Sequence, residues 1–159
     1  MIVFISVISF LLDGVMSRYI LAPSLFLPLF TIVSLVIIYP YFNNNNYRYF
    51  RYIAILGLLY DITYLNTLFF NFFIFMLIGF IIGFFNYLLS NNLYTSLLIT
   101  IISIVLYRIT NYLFIVIFKN YSFNFFDLLE SIYSSLLLNL IYCIVLYILT
   151  EIYSKKHKI

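Results

Sequence analysis

Hydrophobic positions run through this chain in long blocks, separated by short polar clusters, and each block predicts a helix. The first extends from about Ile2 to Leu21. It has to continue past Asp13, because crossing a bilayer core of about 30 Å takes roughly 20 apolar residues and 2–12 is too short. Ala22-Pro23 closes it, since a residue preceding proline is pushed out of the helical region. The second block runs from about Ser24 to Tyr39, ended by Pro40 and the asparagine run 43–46, which cannot sit in hydrocarbon without partners. The third, Tyr49 to Leu65, is short and carries Asp61; only Asn66-Thr67 separates it from the fourth, Leu68 to Leu89. Ser90-Asn91-Asn92 leads into the fifth, Tyr94 to Phe118, and Lys119-Asn120-Tyr121-Ser122 into the sixth, Phe125 to Tyr153. An alternative pattern fuses the third and fourth into a re-entrant pair and gives an odd number of spans.

Composition turns this pattern into a membrane protein. Of 159 residues 66% are hydrophobic and 8% charged, with mean hydropathy +1.15. A soluble domain of this size carries about a quarter charged residues. So little charge cannot coat a water-facing surface, and no polar stretch is long enough to fold apart. The expected fold is an all-α integral membrane protein, one polytopic domain over 1–159, built as a compact bundle of about six transmembrane helices. Met1-Ile-Val-Phe has neither a basic n-region nor a small-residue cleavage site, so the first helix is expected to stay in the membrane. Arg48, Arg51, Lys155, Lys156 and Lys158 fall on one side of a six-span layout, and Arg18 and Lys119 on the other. The positive-inside rule then places both termini in the cytoplasm. Tyr39, Tyr41, Tyr47, Tyr49 and Tyr52 crowd one loop and are expected to form an aromatic belt at headgroup level.

Candidate chemistry rests on ionisable residues within the spans, which are costly there and so mark sites. Asp13, Asp61 and Arg108 are the three. Ala54, Gly57 and Asp61 share one helical face, which lets another helix approach closely and partner the carboxylate. Arg108 stands beside a stripe of Thr100, Ser103, Tyr107 and Asn111, and an Asp61–Arg108 pair would lower the cost of burying both. The plainer reading is that such a pair only fixes helix packing. Asp13 and Arg18 are too far round the helix to pair, so Asp13 needs a partner on another helix. Gly79 and Gly83 form a G-x-x-x-G that permits close backbone approach. Asp127 and Glu130 open the sixth helix, where the helix dipole favours acids. Cys143 reads as a small hydrophobe, and His157 as part of a solvated tail. No phosphate loop, zinc-helix motif, nucleophile elbow or Cys/His cluster occurs. Neither catalysis, nor a cofactor or metal, nor a nucleic-acid partner is expected.

From the second helix to the fourth the order of residues becomes specific. Pro23 opens an apolar helix and a basic loop follows. Then come Gly57-Leu58-Leu59-Tyr60-Asp61, Leu68, and a long apolar helix reaching Gly79-Phe80. This resembles the rod shape-determining protein MreD family, whose members show a G-L-x-x-D segment, a Leu-Gly a few residues on, and a Gly-Tyr in the next helix. Phe69 stands where that family often has glycine, and Phe80 where it has tyrosine. The resemblance implies a non-enzymatic scaffold of the bacterial cell-elongation machinery. It implies a place in the inner membrane with an MreC-like protein, and with RodA and a class B penicillin-binding protein, linked to peptidoglycan synthesis. It also implies a fold similar to the S components of energy-coupling-factor transporters. A substrate-binding S component for a vitamin is the alternative function, although the first helix lacks the A-x-x-x-A surface that docks the coupling subunit.

Overall fold

The computed structural model describes residues 2–19, 28–42, 46–65, 69–118 and 122–157. These form six α-helices: α1 (Ile2–Tyr19), α2 (Phe30–Ile38), α3 (Asn46–Tyr60), α4 (Phe70–Leu88), α5 (Leu93–Phe118) and α6 (Phe125–His157). A 3-10 turn, Tyr39–Phe42, extends α2, and a wider π turn, Asp61–Leu65, ends α3. No strand occurs among the described residues. Among the described residues three helices, α4, α5 and α6, are long and apolar enough to cross a membrane.

Consecutive helices pack antiparallel in pairs. Gly57 lies against Asn71 and Phe72, and Gly79 against Ile53, which sets α3 against α4. Tyr112 meets Asn124, Arg108 meets Ser135, and Thr100 meets Cys143, which sets α5 against α6. Inside these pairs lies α2, with all nine residues buried. It touches α1 through Asp13, α3 through Tyr49, and α6 through Asn139. α3 and α4 are thus two helices packed antiparallel against each other.

The molecule is apolar outside, and its polar side chains are gathered inside among an apolar core. Val3, Phe4, Phe73, Phe80, Ile117, Ile141 and Ile152 are exposed, whereas Ser6, Ser9, Asp13, Thr31, Ser34, Asp61, Asn71, Thr100, Ser134, Ser135 and Asn139 are buried. That is the arrangement a lipid solvent selects. Association between helices there rests on packing and polar contacts, because lipid is as apolar as leucine.

Two expectations are corrected here. Pro28 and Leu29 precede α2 without being helical, so the helix begins later than Ser24 in its described part. Leu29 turns its N–H to Asn139 and Asp13 takes the next two, so the first turn is ended by side chains from other helices. Of the five tyrosines expected in the belt, Tyr49 is internal and Tyr39, Tyr41 and Tyr52 are half-buried. Tyr49 is fully buried and donates to the Leu35 carbonyl (3.0 Å), Tyr52 bonds Ser6, and Tyr41 donates to the Thr150 carbonyl (3.4 Å). Tyr47 alone of these described side chains is fully exposed, with the Arg51 guanidinium 5.6 Å from its ring centre. The breaks at Ala22-Pro23, 43–45, Asn66-Thr67 and 119–121, and the side chains of Arg18, Lys156 and His157, lie outside the described residues.

Candidate functional site

A helix that starts in an apolar interior leaves its first backbone N–H groups with no water to bond. Two of the six helices meet that problem in the same way. At α2 the Phe30 N–H donates to Asp13 Oδ1 (2.7 Å), and the Thr31 N–H and hydroxyl both donate to Asp13 Oδ2 (2.9 and 2.6 Å). At α4 the Asn71 N–H and amide donate to Asp61 Oδ1 (2.9 and 3.0 Å), and the Phe72 N–H donates to Asp61 Oδ2 (3.1 Å). Each acid thus belongs to one helix and caps the next. A carboxylate suits the place because the N-terminal end of a helix carries partial positive charge. Both acids are nearly inaccessible, Asp13 at 3% and Asp61 at 2% exposure.

Further side chains extend each cap toward α5 and α6. Asn139 on α6 accepts the Leu29 N–H (2.8 Å), completing the start of α2. Tyr107 on α5 donates to Asn71 Oδ1 (3.1 Å), tying the α4 cap to a third element. Arg108 donates from Nε to Ser135 on α6 (2.9 Å). It does not pair with Asp61: among pairs of described residues the one ion pair is Lys155 with Glu151 at 2.7 Å. Arg108 instead lies within electrostatic reach of Asp13, with Tyr60 and Tyr107 alongside. The reason is geometric, since Asp61 is already committed to the first turn of α4. A third hairpin closes without an acid from another helix. Tyr112 both accepts from the Asn124 N–H (2.8 Å) and donates to its carbonyl (2.9 Å), while the Asn124 side chain caps Phe126 and bonds Asp127.

Comparison with models of protein families decides the kinship of this arrangement: the model described as rod shape-determining protein MreD matches residues 1–157. The chain belongs to the MreD family. Comparison with curated proteins and with solved structures returns no match. MreD is a membrane family concerned with rod shape rather than an enzyme family, and a shape-determining membrane role follows for this chain.

The G-L-x-x-D segment of the MreD resemblance now has a physical meaning. Gly57 lets α3 approach α4 so closely that a Cβ there would stand 2.8 Å from the Phe72 Cα. One turn later Asp61 caps α4, so glycine and acid act on the same two-residue target. Just before that helix, Phe69 adopts a left-handed conformation with φ 64°. That region admits glycine freely and strains any other residue, which accounts for the glycine often found at this place in MreD proteins.

The six residues singled out from the sequence fall into different settings. Asp13 and Asp61 cap helices, Arg108 joins α5 to α6, and Gly57 seats α3 on α4. Gly79 is also spent internally, since a Cβ there would collide with Ile53 Cδ1. Gly83 is not: the nearest atoms to its Cβ position belong to the Tyr39 ring at 3.5 Å or more, and it lines an open groove. Asn71, Asn139, Thr31 and Ser135 complete these contacts and were missed from the sequence, whereas Tyr107 was noted there only as part of the polar stripe beside Arg108. The signal for two of them was present, because asparagines sit at 71 and 139 within otherwise apolar runs. Among the described residues no three His, Cys, Asp or Glu side chains gather to hold a metal.

Proposed function

We propose that this protein is a non-enzymatic membrane scaffold of the cell-elongation machinery, acting through a complex with an MreC-like protein and, with it, RodA and a class B penicillin-binding protein. The family match over 1–157 carries the reading. Its support in the fold is that the buried acids are committed to holding helix ends, so the polar interior reads as framework rather than as a reaction centre. The whole chain forms one domain with six spans in the inner membrane. Both termini face the cytoplasm, with Arg48, Arg51 and Lys155 at that surface as the positive-inside rule requires. The likeness to energy-coupling-factor S components belongs to the same reading. So does the assignment of Asp13, Asp61, Arg108, Gly57 and Gly79 to internal architecture and of Gly83 to the outer surface.

Affinity purification of the full chain from native membranes tests this reading. Recovery of an MreC-like protein and elongation-specific wall synthases is the expected result. Recovery of an ATPase pair with a coupling subunit, or of a tightly retained vitamin, would overturn it in favour of the transporter component.

A further inference from the structure

The π turn that ends α3, Asp61–Leu65, sends two of its side chains to different helices. Asp61 goes to α4, where the Asn71 and Phe72 N–H groups donate to its two oxygens at 2.9 and 3.1 Å. Tyr64 goes to α1. Its hydroxyl donates to the Phe10 carbonyl (2.6 Å), and its ring packs on Phe10 with 5.0 Å between centres. Gly14, one turn further along α1, makes the seat. A Cβ there would stand 2.5 Å from the Tyr64 hydroxyl oxygen and 2.8 Å from its Cε1, so the ring occupies the space that a side chain at 14 would need.

The spacing explains why the turn is wide. Residues three apart on an α-helix lie only about 60° from each other around the axis, on one face. In that geometry Asp61 and Tyr64 would both point at α4 or both at α1. Bonds from i to i+5 put more residues into each turn and open the angle, so that one side chain reaches each neighbour. The Tyr60 ring, at the last residue of α3, packs beside the pair, 4.7 Å from the Tyr64 ring and 6.1 Å from that of Phe10. The turn is thus held at two points, by its acid on α4 and by its tyrosine on α1. Turning one of them away swings the other.

We infer that Asp61–Leu65 is a conformational joint: the seating of Tyr64 on Gly14 holds Asp61 over the start of α4, so that lifting α1 from this turn frays α4. The Asn71 and Phe72 amides report the joint directly, because Asp61 is the acceptor for both. Hydrogen exchange at these two amides in the purified full chain is the measurement. Gly14→Ala, which displaces the ring, speeds their exchange about tenfold, the worth of one hydrogen bond. Tyr64→Leu, at a half-buried position, has the same effect without touching α4. Ser9→Ala breaks a different contact of α1, that with Tyr142, and leaves both amides exchanging at the wild-type rate. Wild-type exchange in a folded Gly14→Ala overturns the inference, as does equal acceleration by Ser9→Ala. If Gly14→Ala does not fold, Tyr64→Leu decides alone, and wild-type exchange in that variant overturns it.

Discussion

At the scale of single residues, the two carboxylates act through the backbone groups they satisfy. Removing a buried acceptor leaves its donors unpaired at about 1–3 kcal/mol each. Asp13→Ala and Asp61→Ala should therefore each destabilise the fold by about 2–5 kcal/mol in unfolding from detergent, while Asn, which retains one acceptor oxygen, should lose less. If Asn proves as damaging as Ala, the charge rather than the hydrogen bonding matters. Arg108 supplies a sharper test, because it bonds Ser135 and makes no ion pair with Asp61. A double-mutant cycle on Arg108→Leu and Ser135→Ala should show coupling of roughly 0.5–3 kcal/mol, and the cycle on Asp61→Asn and Arg108→Leu should add within about 0.5 kcal/mol. The opposite pattern would restore the Asp61–Arg108 pair. Phe69 is half exposed at 53% and strained at φ 64°. Phe69→Gly should raise stability by about 0.5–1 kcal/mol, the left-handed strain less the added chain entropy. A lower melting temperature would mean the ring's contact with Phe72 outweighs the strain.

At the scale of helices, small residues divide into those already used and those still open. Gly57 meets backbone atoms and Gly79 the movable end of the Ile53 side chain, so Gly57→Val should abolish folded protein in membranes and Gly79→Leu should lower its yield less. Gly83→Leu should fold, and comparing the folded yields of the three variants checks the division. This is also where the sequence was informative and where it stopped. Helix number and most ends were legible, because apolar blocks and asparagine breaks record which segments lipid must surround. The start of α2 was not, because its boundary is set by Asp13 and Asn139, far along the chain. The burial of Tyr49 was missed for a related reason. A tyrosine beside a polar loop suits either an interface or a buried carbonyl, and only the packing of α1 and α2 against α3 chooses. The acids themselves were found because burying a charge is costly, whereas hydroxyl partners such as Thr31 and Ser135 raise no such alarm.

At the scale of the molecule, the contacts Ser6–Tyr52 and Tyr41–Thr150 gather the first turn of α1, the start of α3 and the last turns of α6 at one end. Cysteine labelling checks that end against the membrane. In a background of Cys143→Ala, whose thiol is buried, Asn45→Cys and Lys156→Cys should react from the same, cytoplasmic, side. Reaction from opposite sides would mean an odd number of spans. The burial of α2 has a further consequence, for how the chain is made. Its first N–H is held by a residue of the last helix, 110 positions downstream. While a ribosome is still short of Asn139, that group has no lasting partner, and a helix without a lipid-facing side has no settled place in the bilayer. Insertion of the early segments is thus provisional, and the bundle locks only when α6 arrives. A chain cut short before α6 keeps its signal of incompleteness, polar backbone in contact with lipid, in a form that a membrane protease can recognise.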